Sequence, residues 1–382
     1  MIKKLLCLLL TLAIGLCCCA PVSAAPADQH PPLTPSVSAK AALLMEAESG
    51  EILFEKHAHL PMGMASTTKI MTALVALEQK SPDTVISIPK EAVGIEGSSV
   101  YLIEGEKLSL RDLLYALLLS SANDAATAIA IAVGGSEKDF CALMNQKAKE
   151  LGLRSTRFEN PHGLYHEEHY TTAYELALIT AHALSIPLFR EIVSTYTKKI
   201  PHDGIPDVRL LCNHNKLLKS YDGAIGVKTG FTKKTGRTLV SAAERDGMTL
   251  IAVTLDAPDD WRDHTAMLDY GFASYERLTV AKAGEFTYDF PVVGGKEETV
   301  TLTNQEPLTL LLPREHDAPS TKIEGVGRFL YAPVRAGEAA CRITVRVGDR
   351  SISSLLYATA SVEKKPSRSL LDRLFEGGRQ NP

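Results

Sequence analysis

Ala65-Ser66-Thr67-Thr68-Lys69-Ile70-Met71-Thr72-Ala73-Leu74-Val75-Ala76-Leu77-Glu78-Gln79 is the stretch from which the rest of the chain can be read. Ile70, Ala73, Leu74 and Leu77 recur at helical spacing and Ser81-Pro82 stops the pattern, so the segment predicts a helix over 65–79 with one apolar face. Ser66 and Lys69, three residues apart in its first turn, then share a face. A serine hydroxyl is a weak nucleophile until a base takes its proton, and a lysine of lowered pKa can be that base. The same spacing recurs at Ser87/Lys90 and Ser361/Lys364. Pro89 interrupts the first of these in a strand-like run, and the second falls where a β-rich region meets the tail, so neither sequence context holds the pair face to face.

Around this helix the chain reads as mixed α and β. Upstream, 41–46 and 51–55 are strand-like and joined by Glu48-Ser49-Gly50, a hairpin signal. Downstream, Ser109-Leu110-Arg111-Asp112 opens a helix to about residue 120, and another covers 125–133 before Gly134-Gly135. Helices follow over 137–151 and 172–184, then strands over 224–231, 238–244 and 248–257, then a helix over 261–275. From about residue 278 helical periodicity disappears. Short alternating strands at 299–303, 308–312, 341–347 and 351–361, separated by Gly, Pro and Asn, predict a separate all-β module.

The two ends differ from the body. Lys3 and Lys4 precede an apolar run over 5–20, with small residues through Ala24, the layout of a secretory signal peptide over 1–24. A Pro-rich leader occupies 25–38. Residues 364–382 carry five basic and two acidic side chains. A helix there would gather Leu370, Leu371, Leu374 and Phe375 on one arc, as in a segment that lies on an anionic membrane surface. Cys7, Cys17, Cys18 and Cys19 fall in the signal, leaving Cys141, Cys212 and Cys341, an odd count better suited to unpaired buried thiols than to a disulfide framework. The whole chain of 382 residues has a net charge of −4, which gives no electrostatic ground for nucleic acid as a partner.

Two further motifs follow Ser66 and Lys69. Ser121-Ala122-Asn123 sits in the tight segment between two helices, where a serine can relay a proton and an amide can hold a substrate; alone, such a turn reads first as a helix cap. Lys228-Thr229-Gly230 ends a strand-like run, and Lys234-Thr235-Gly236 repeats it where a hairpin turn belongs. The first copy is the better site: lysine and threonine on an edge strand offer charge and hydroxyl to a carboxylate, and the glycine lets a ligand lie along the strand. His162, His166 and His169 fit no single helix face and no His-Glu-x-x-His occurs, so no metal is expected. No cofactor signature stands out either.

Ser66-x-x-Lys69, Ser121-x-Asn123 and Lys228-Thr229-Gly230, in this order after a signal peptide, resemble the three motifs of penicillin-binding proteins and class A β-lactamases. Within that superfamily the chain is most similar to the low-molecular-mass, serine-type D-alanyl-D-alanine carboxypeptidases of peptidase family S11. Supporting segments include Asn160-Pro161-His162-Gly163-Leu164, Tyr170-Thr171-Thr172-Ala173 and Gly226-Val227-Lys228-Thr229-Gly230-Phe231-Thr232. The resemblance implies an α+β fold: a penicillin-binding, β-lactamase-like catalytic domain over 39–276, its antiparallel sheet flanked by helices, then a C-terminal sandwich-like β domain over 277–363. It also implies release of the terminal D-alanine from the peptidoglycan stem pentapeptide outside the cytoplasm, with β-lactams as covalent inhibitors.

Carried over residue by residue, Ser66 is the acylated nucleophile, Lys69 its base and Ser121 the relay toward the leaving D-alanine. Asn123 holds the peptide, while Lys228, Thr229 and Gly230 bind its end. The backbone N–H groups of Ser66 and Phe231 form the oxyanion hole. Lys228 near Lys69 would also lower the amine pKa. Arg262 is the nearest arginine to a carboxylate-binding role, but its spacing fits poorly and it stays unassigned. A β-lactamase would need a glutamate in a Glu-x-x-Leu-Asn segment, and Leu-Asn occurs nowhere in the chain. A D-alanyl endopeptidase and a non-catalytic wall-binding protein are the other readings.

Overall fold

The computed structural model describes residues 34–202, 208–325 and 328–366. The signal-like segment and the tail from 367 lie outside the described residues. From Thr34 onward the chain forms one compact unit.

Strands β1 (Ala41–Glu46) and β2 (Ile52–Lys56) form the expected hairpin. The turn is locked by Glu46, whose buried carboxylate accepts from both the backbone N–H and the hydroxyl of Ser49 at 2.7 Å. Strands β3 (Ala224–Thr232), β4 (Gly236–Arg245) and β5 (Met248–Leu255) complete an antiparallel sheet of order β2-β1-β5-β4-β3. Residues two hundred apart in sequence thus become neighbours, with Leu43 opposite Val253. β5 is buried along its whole length because helices cover both faces, which is why it reads as a continuous apolar run. The strand bearing Lys228, Thr229 and Gly230 is a sheet edge, the place from which it can pair with an added peptide.

One layer of helices holds α1 (Lys69–Gln79), α2 (Leu110–Leu119), α3 (Asn123–Gly134), α4 (Glu137–Glu150) and α5 (Ala173–Leu184). Helix α1 runs through its centre: Ile70, Ala73, Leu74 and Ala76 are fully buried, and the small side chains let neighbouring helices approach. Each buried Leu or Ile there stabilises the fold by roughly 1.5–3 kcal/mol. Ser109 caps α2 as its sequence predicts, accepting from Asp112 N–H at 3.1 Å. A helix the sequence pattern did not suggest, α6 (Pro187–Ser194), begins on Pro187, where the missing N–H costs nothing. Helix α7 (Asp260–Ser274) packs on the opposite face of the sheet.

Strand β6 (Tyr275–Ala281) leaves α7 directly and starts the β-rich part of the chain, where it pairs with Leu308–Pro313. A six-stranded sheet, antiparallel apart from one short parallel pair, encloses with it an apolar core that includes Phe290, Leu302, Ile343, Val345 and Leu356. This core is distinct from the one between the five-stranded sheet and its helices, but the two regions touch. Leu311 packs with Leu268 and Phe272, and Arg350 Nη1 meets Glu51 Oε2 at 2.5 Å. Cys141 and Cys341 are buried free thiols; Cys212 is exposed, against the expectation, since it ends an outer hairpin strand (Val208–Cys212).

Candidate active site

The turn that carries Ser66 departs from its sequence reading. Ala65–Thr68 forms a 3-10 turn and the α-helix proper starts only at Lys69. Two causes are visible. The hydroxyls of Thr67 and Thr68 donate back to the carbonyls of Met64 and Ala65 at 2.6 and 2.7 Å, tightening the turn to three-residue closure. Ala65 also adopts φ +47, a left-handed conformation that a non-glycine residue holds only under tertiary constraint. Thr238, on β4, adds such a constraint by donating from Oγ1 to the Met64 carbonyl at 3.0 Å.

Lys69 is fully buried, and its amine makes three contacts: Nζ donates to Asn123 Oδ1 at 2.7 Å and to the His162 carbonyl at 2.6 Å, and lies 3.1 Å from Ser66 Oγ. Burial first, and then the charge of Lys228, push the Lys69 pKa well below the usual lysine value, with Asp124 partly opposing. A neutral amine has two protons and one lone pair. The two carbonyl-type acceptors take the protons, which leaves the lone pair for the Ser66 hydroxyl.

Ser121 and Asn123 stand at the start of α3, which begins two residues earlier than its apolar pattern suggests. Ser121 is 3% exposed at φ +58, and its hydroxyl has no partner among the described residues. Asn123 was expected to hold the peptide; its Oδ1 takes Lys69, and its Nδ2 donates to the Glu96 carbonyl at 2.6 Å, leaving one amide proton for a ligand. Asp124, a residue the sequence reading missed, fastens the same loop. Its carboxylate accepts from the backbone N–H groups of Val100 and Leu102, each at 3.1 Å, and from the Ser99 hydroxyl at 2.6 Å. Its adjacency to Asn123 was the available signal.

Edge strand β3 closes the site. A Cβ on Gly230 would fall 2.9 Å from Ser66 N and 2.4 Å from Thr238 Oγ1, so only glycine lets this strand lie against the serine turn. Lys228 is 1% exposed, its Nζ donates to the Thr229 carbonyl at 2.9 Å, and burial pushes its pKa down to about 7. Phe231, next along, is 63% exposed. Lys234 is exposed in the turn after β3, with its amine 4.8 Å from the Tyr165 ring. Arg262 points to solvent beside Asp259. A groove of about 810 Å³, lined by Cys141, Asn145, Arg154 and Tyr170 among others, contains none of the motif residues.

Of the expected residues, Lys69, Ser121, Asn123 and Lys228 are buried, Thr229 and Gly230 lie on edge strand β3, and Ser66 stands on the turn beside that strand; the His162 carbonyl joins them through Lys69. That carbonyl carries no chemical signature in sequence, which is why only the fold reveals it.

The sequence model described as D-alanyl-D-alanine carboxypeptidase, family S11, matches residues 27–259, and that of the penicillin-binding protein 5 C-terminal domain matches 275–364. The D-alanyl-D-alanine carboxypeptidase DacF of Bacillus subtilis is 32% identical over 342 residues, 87% of this chain and 88% of the relative. DacC of Escherichia coli is 32% identical over 83% of this chain and 82% of its own length. Penicillin-binding protein 5 of Haemophilus influenzae superposes with a TM-score of 0.73 at 27% identity, covering 87% of this chain and 99% of that one. A serine at a sheet edge bonded to a buried lysine, and a family match over residues 27–259, lead to one conclusion: this chain belongs to the S11 family of D-alanyl-D-alanine carboxypeptidases.

Proposed function

We propose that the chain is a serine hydrolase that removes the terminal D-alanine from peptidoglycan pentapeptides through an acyl-enzyme, and that β-lactams trap it by acylating the same serine. The observation that carries the mechanism is the placement of the Lys69 amine, held by the Asn123 and His162 oxygens at 2.7 and 2.6 Å and 3.1 Å from Ser66 Oγ. In this reading Lys69 takes the Ser66 proton as Oγ attacks the carbonyl carbon of the penultimate D-alanine. The oxyanion is received by the backbone N–H groups of Ser66 and Phe231. The C–N bond then breaks, the nitrogen of the leaving D-alanine gaining its proton by way of Ser121, and water hydrolyses the ester. Lys228 and Thr229 meet the terminal carboxylate, and Gly230 lets the substrate strand lie close. D-alanine release from a pentapeptide muropeptide, abolished by prior penicillin treatment, tests the function; penicillin labelling without release would move the assignment to an endopeptidase or binding role.

The two buried lysines give the pH profile a sign. Acylation requires neutral Lys69, so its rate falls as pH drops below that residue's lowered pKa. Carboxylate binding requires charged Lys228, so KM rises as pH climbs through about 7, by up to about tenfold per pH unit. Steady-state kinetics across pH 5–9 should show both limbs, with Lys228→Arg removing the alkaline one because guanidinium stays charged. An alkaline limb that persists in that variant would reassign it.

Export through residues 1–24 and membrane association through the basic C-terminal tail complete the reading, supported by the charge and apolar patterns of those segments. Deleting residues 367–382, beyond the Lys365 N–H bond to the Gly294 carbonyl, should release the protein from anionic vesicles while leaving activity on soluble peptide unchanged. Unaltered co-sedimentation would remove the anchor role.

A further inference from the structure

Segment 159–169 passes against the serine turn and touches it at points that the three motifs do not explain. At Gly163 there is no room for a side chain, since a Cβ would lie 1.9 Å from the Ala65 carbonyl oxygen. The Thr68 hydroxyl donates to that same carbonyl at 2.7 Å, Thr68 Oγ1 lies 2.7 Å from His169 Nε2, and the Glu159 backbone N–H donates to His169 Nδ1 at 3.0 Å.

Both ends of this chain of hydrogen bonds are fixed in sense, because a backbone N–H only donates and a carbonyl only accepts. His169 Nδ1 is therefore an acceptor and Nε2 carries the ring proton, which it donates to Thr68, whose own proton goes to Ala65. Nothing in the chain is left unsatisfied. His169 is 4% exposed, and the ring of Phe158 meets it nearly edge-on at 5.8 Å between centroids. Burial pushes its pKa down to about 4, with Glu159 opposing and with His166 and Lys69 adding to the shift, so the neutral ring is the form present at neutral pH. At the other end of the chain, Ala65 keeps its left-handed φ of +47 and Ser66 follows it.

We infer that His169, as its Nε2–H tautomer, is a positioning residue for the reaction: through Thr68 it fixes the Ala65 carbonyl and so maintains the turn that aims Ser66 Oγ at Lys69. The inference rests on Ser66 being the acylated serine. His169 touches neither substrate nor reacting atoms in this role, so its removal should slow acylation and leave recognition of the D-alanyl terminus intact.

The test compares full-length protein with His169→Asn, His169→Gln and Thr68→Val variants, using the acylation rate by benzylpenicillin together with kcat and KM for D-alanine release. An asparagine amide can replace the Nδ1 acceptor but cannot reach Thr68, whereas a glutamine amide can supply the donor at the Nε2 position. The expected result is a fall of about ten- to a hundredfold in acylation rate and kcat for His169→Asn and Thr68→Val, with KM within about threefold of wild type; His169→Gln should recover most of it. Combining His169→Asn with Thr68→Val should cost little more than either alone, since both act through one carbonyl. Nitrogen-15 NMR of the unmodified protein, which needs no variant to fold, should show a protonated Nε2 and a bare Nδ1 on His169.

Wild-type acylation in His169→Asn, a change confined to KM, or the opposite tautomer would each overturn the role. Mapping the penicillin adduct separates the two claims. A label outside the Ser66 peptide refutes the nucleophile reading, whereas a Ser66 label with rates indifferent to His169 refutes this inference alone.

Discussion

Ser66→Ala should abolish covalent labelling by penicillin and D-alanine release together, with a loss of at least about 10⁴-fold in turnover. The magnitude follows from what is removed. Without Oγ there is no atom for the acyl group to join, and the basicity of Lys69 has nothing to act upon. The fold should tolerate the change, because among the described residues Ser66 Oγ is bound only by Lys69, and one net hydrogen bond contributes about 1 kcal/mol. Thermal melting beside the penicillin assay separates loss of chemistry from loss of structure. Retained release by a folded Ser66→Ala protein would refute the nucleophile assignment.

Lys69→Met has the second largest expected effect, a fall of about 10²–10⁴-fold in acylation rate, the usual contribution of a positioned general base. Methionine fills similar space, so the substitution deletes the amine and little else. It strands two buried acceptors, Asn123 Oδ1 and the His162 carbonyl, each at a cost of about 1–3 kcal/mol. Relief of the buried amine's desolvation opposes that loss, so melting should fall by less than the two acceptors alone imply. Non-covalent affinity for a D-alanyl-terminated peptide should stay near wild type, since Lys228 and Thr229 carry carboxylate recognition. Acylation at the wild-type rate would shift the base to another group, with Ser121 and Lys228 the first to examine.

Both predictions concern residues that short-range reasoning identified, and the structure shows how far such reasoning extends. It located the β1–β2 hairpin from Glu48-Ser49-Gly50, the α2 start from a serine three residues before an aspartate, and the places of Lys228 on a strand and Lys234 in a turn. It misjudged the turn at Ser66, where helical spacing suggested an α-helix and the chain closes in 3-10 geometry. It also missed α6, since Pro187 after an apolar run reads as a stop as easily as a first helical residue.

What the sequence determined by itself was therefore local: which segments are helix or strand, and which serine, lysines and amide are the candidates for the chemistry, because spacing, capping and turn residues act over a few positions. The tertiary structure alone decided how those groups are held. The Lys69 amine is engaged by an amide 54 residues away and a carbonyl 93 residues away, and Ser66 stands on a turn constrained by Thr238, Gly163 and, through Thr68, His169. Contacts of that range leave no periodic trace in a single chain. They come from closing the sheet between β1 and β5 and packing the helices over it, which buries two lysines in one cleft and thereby sets their charge.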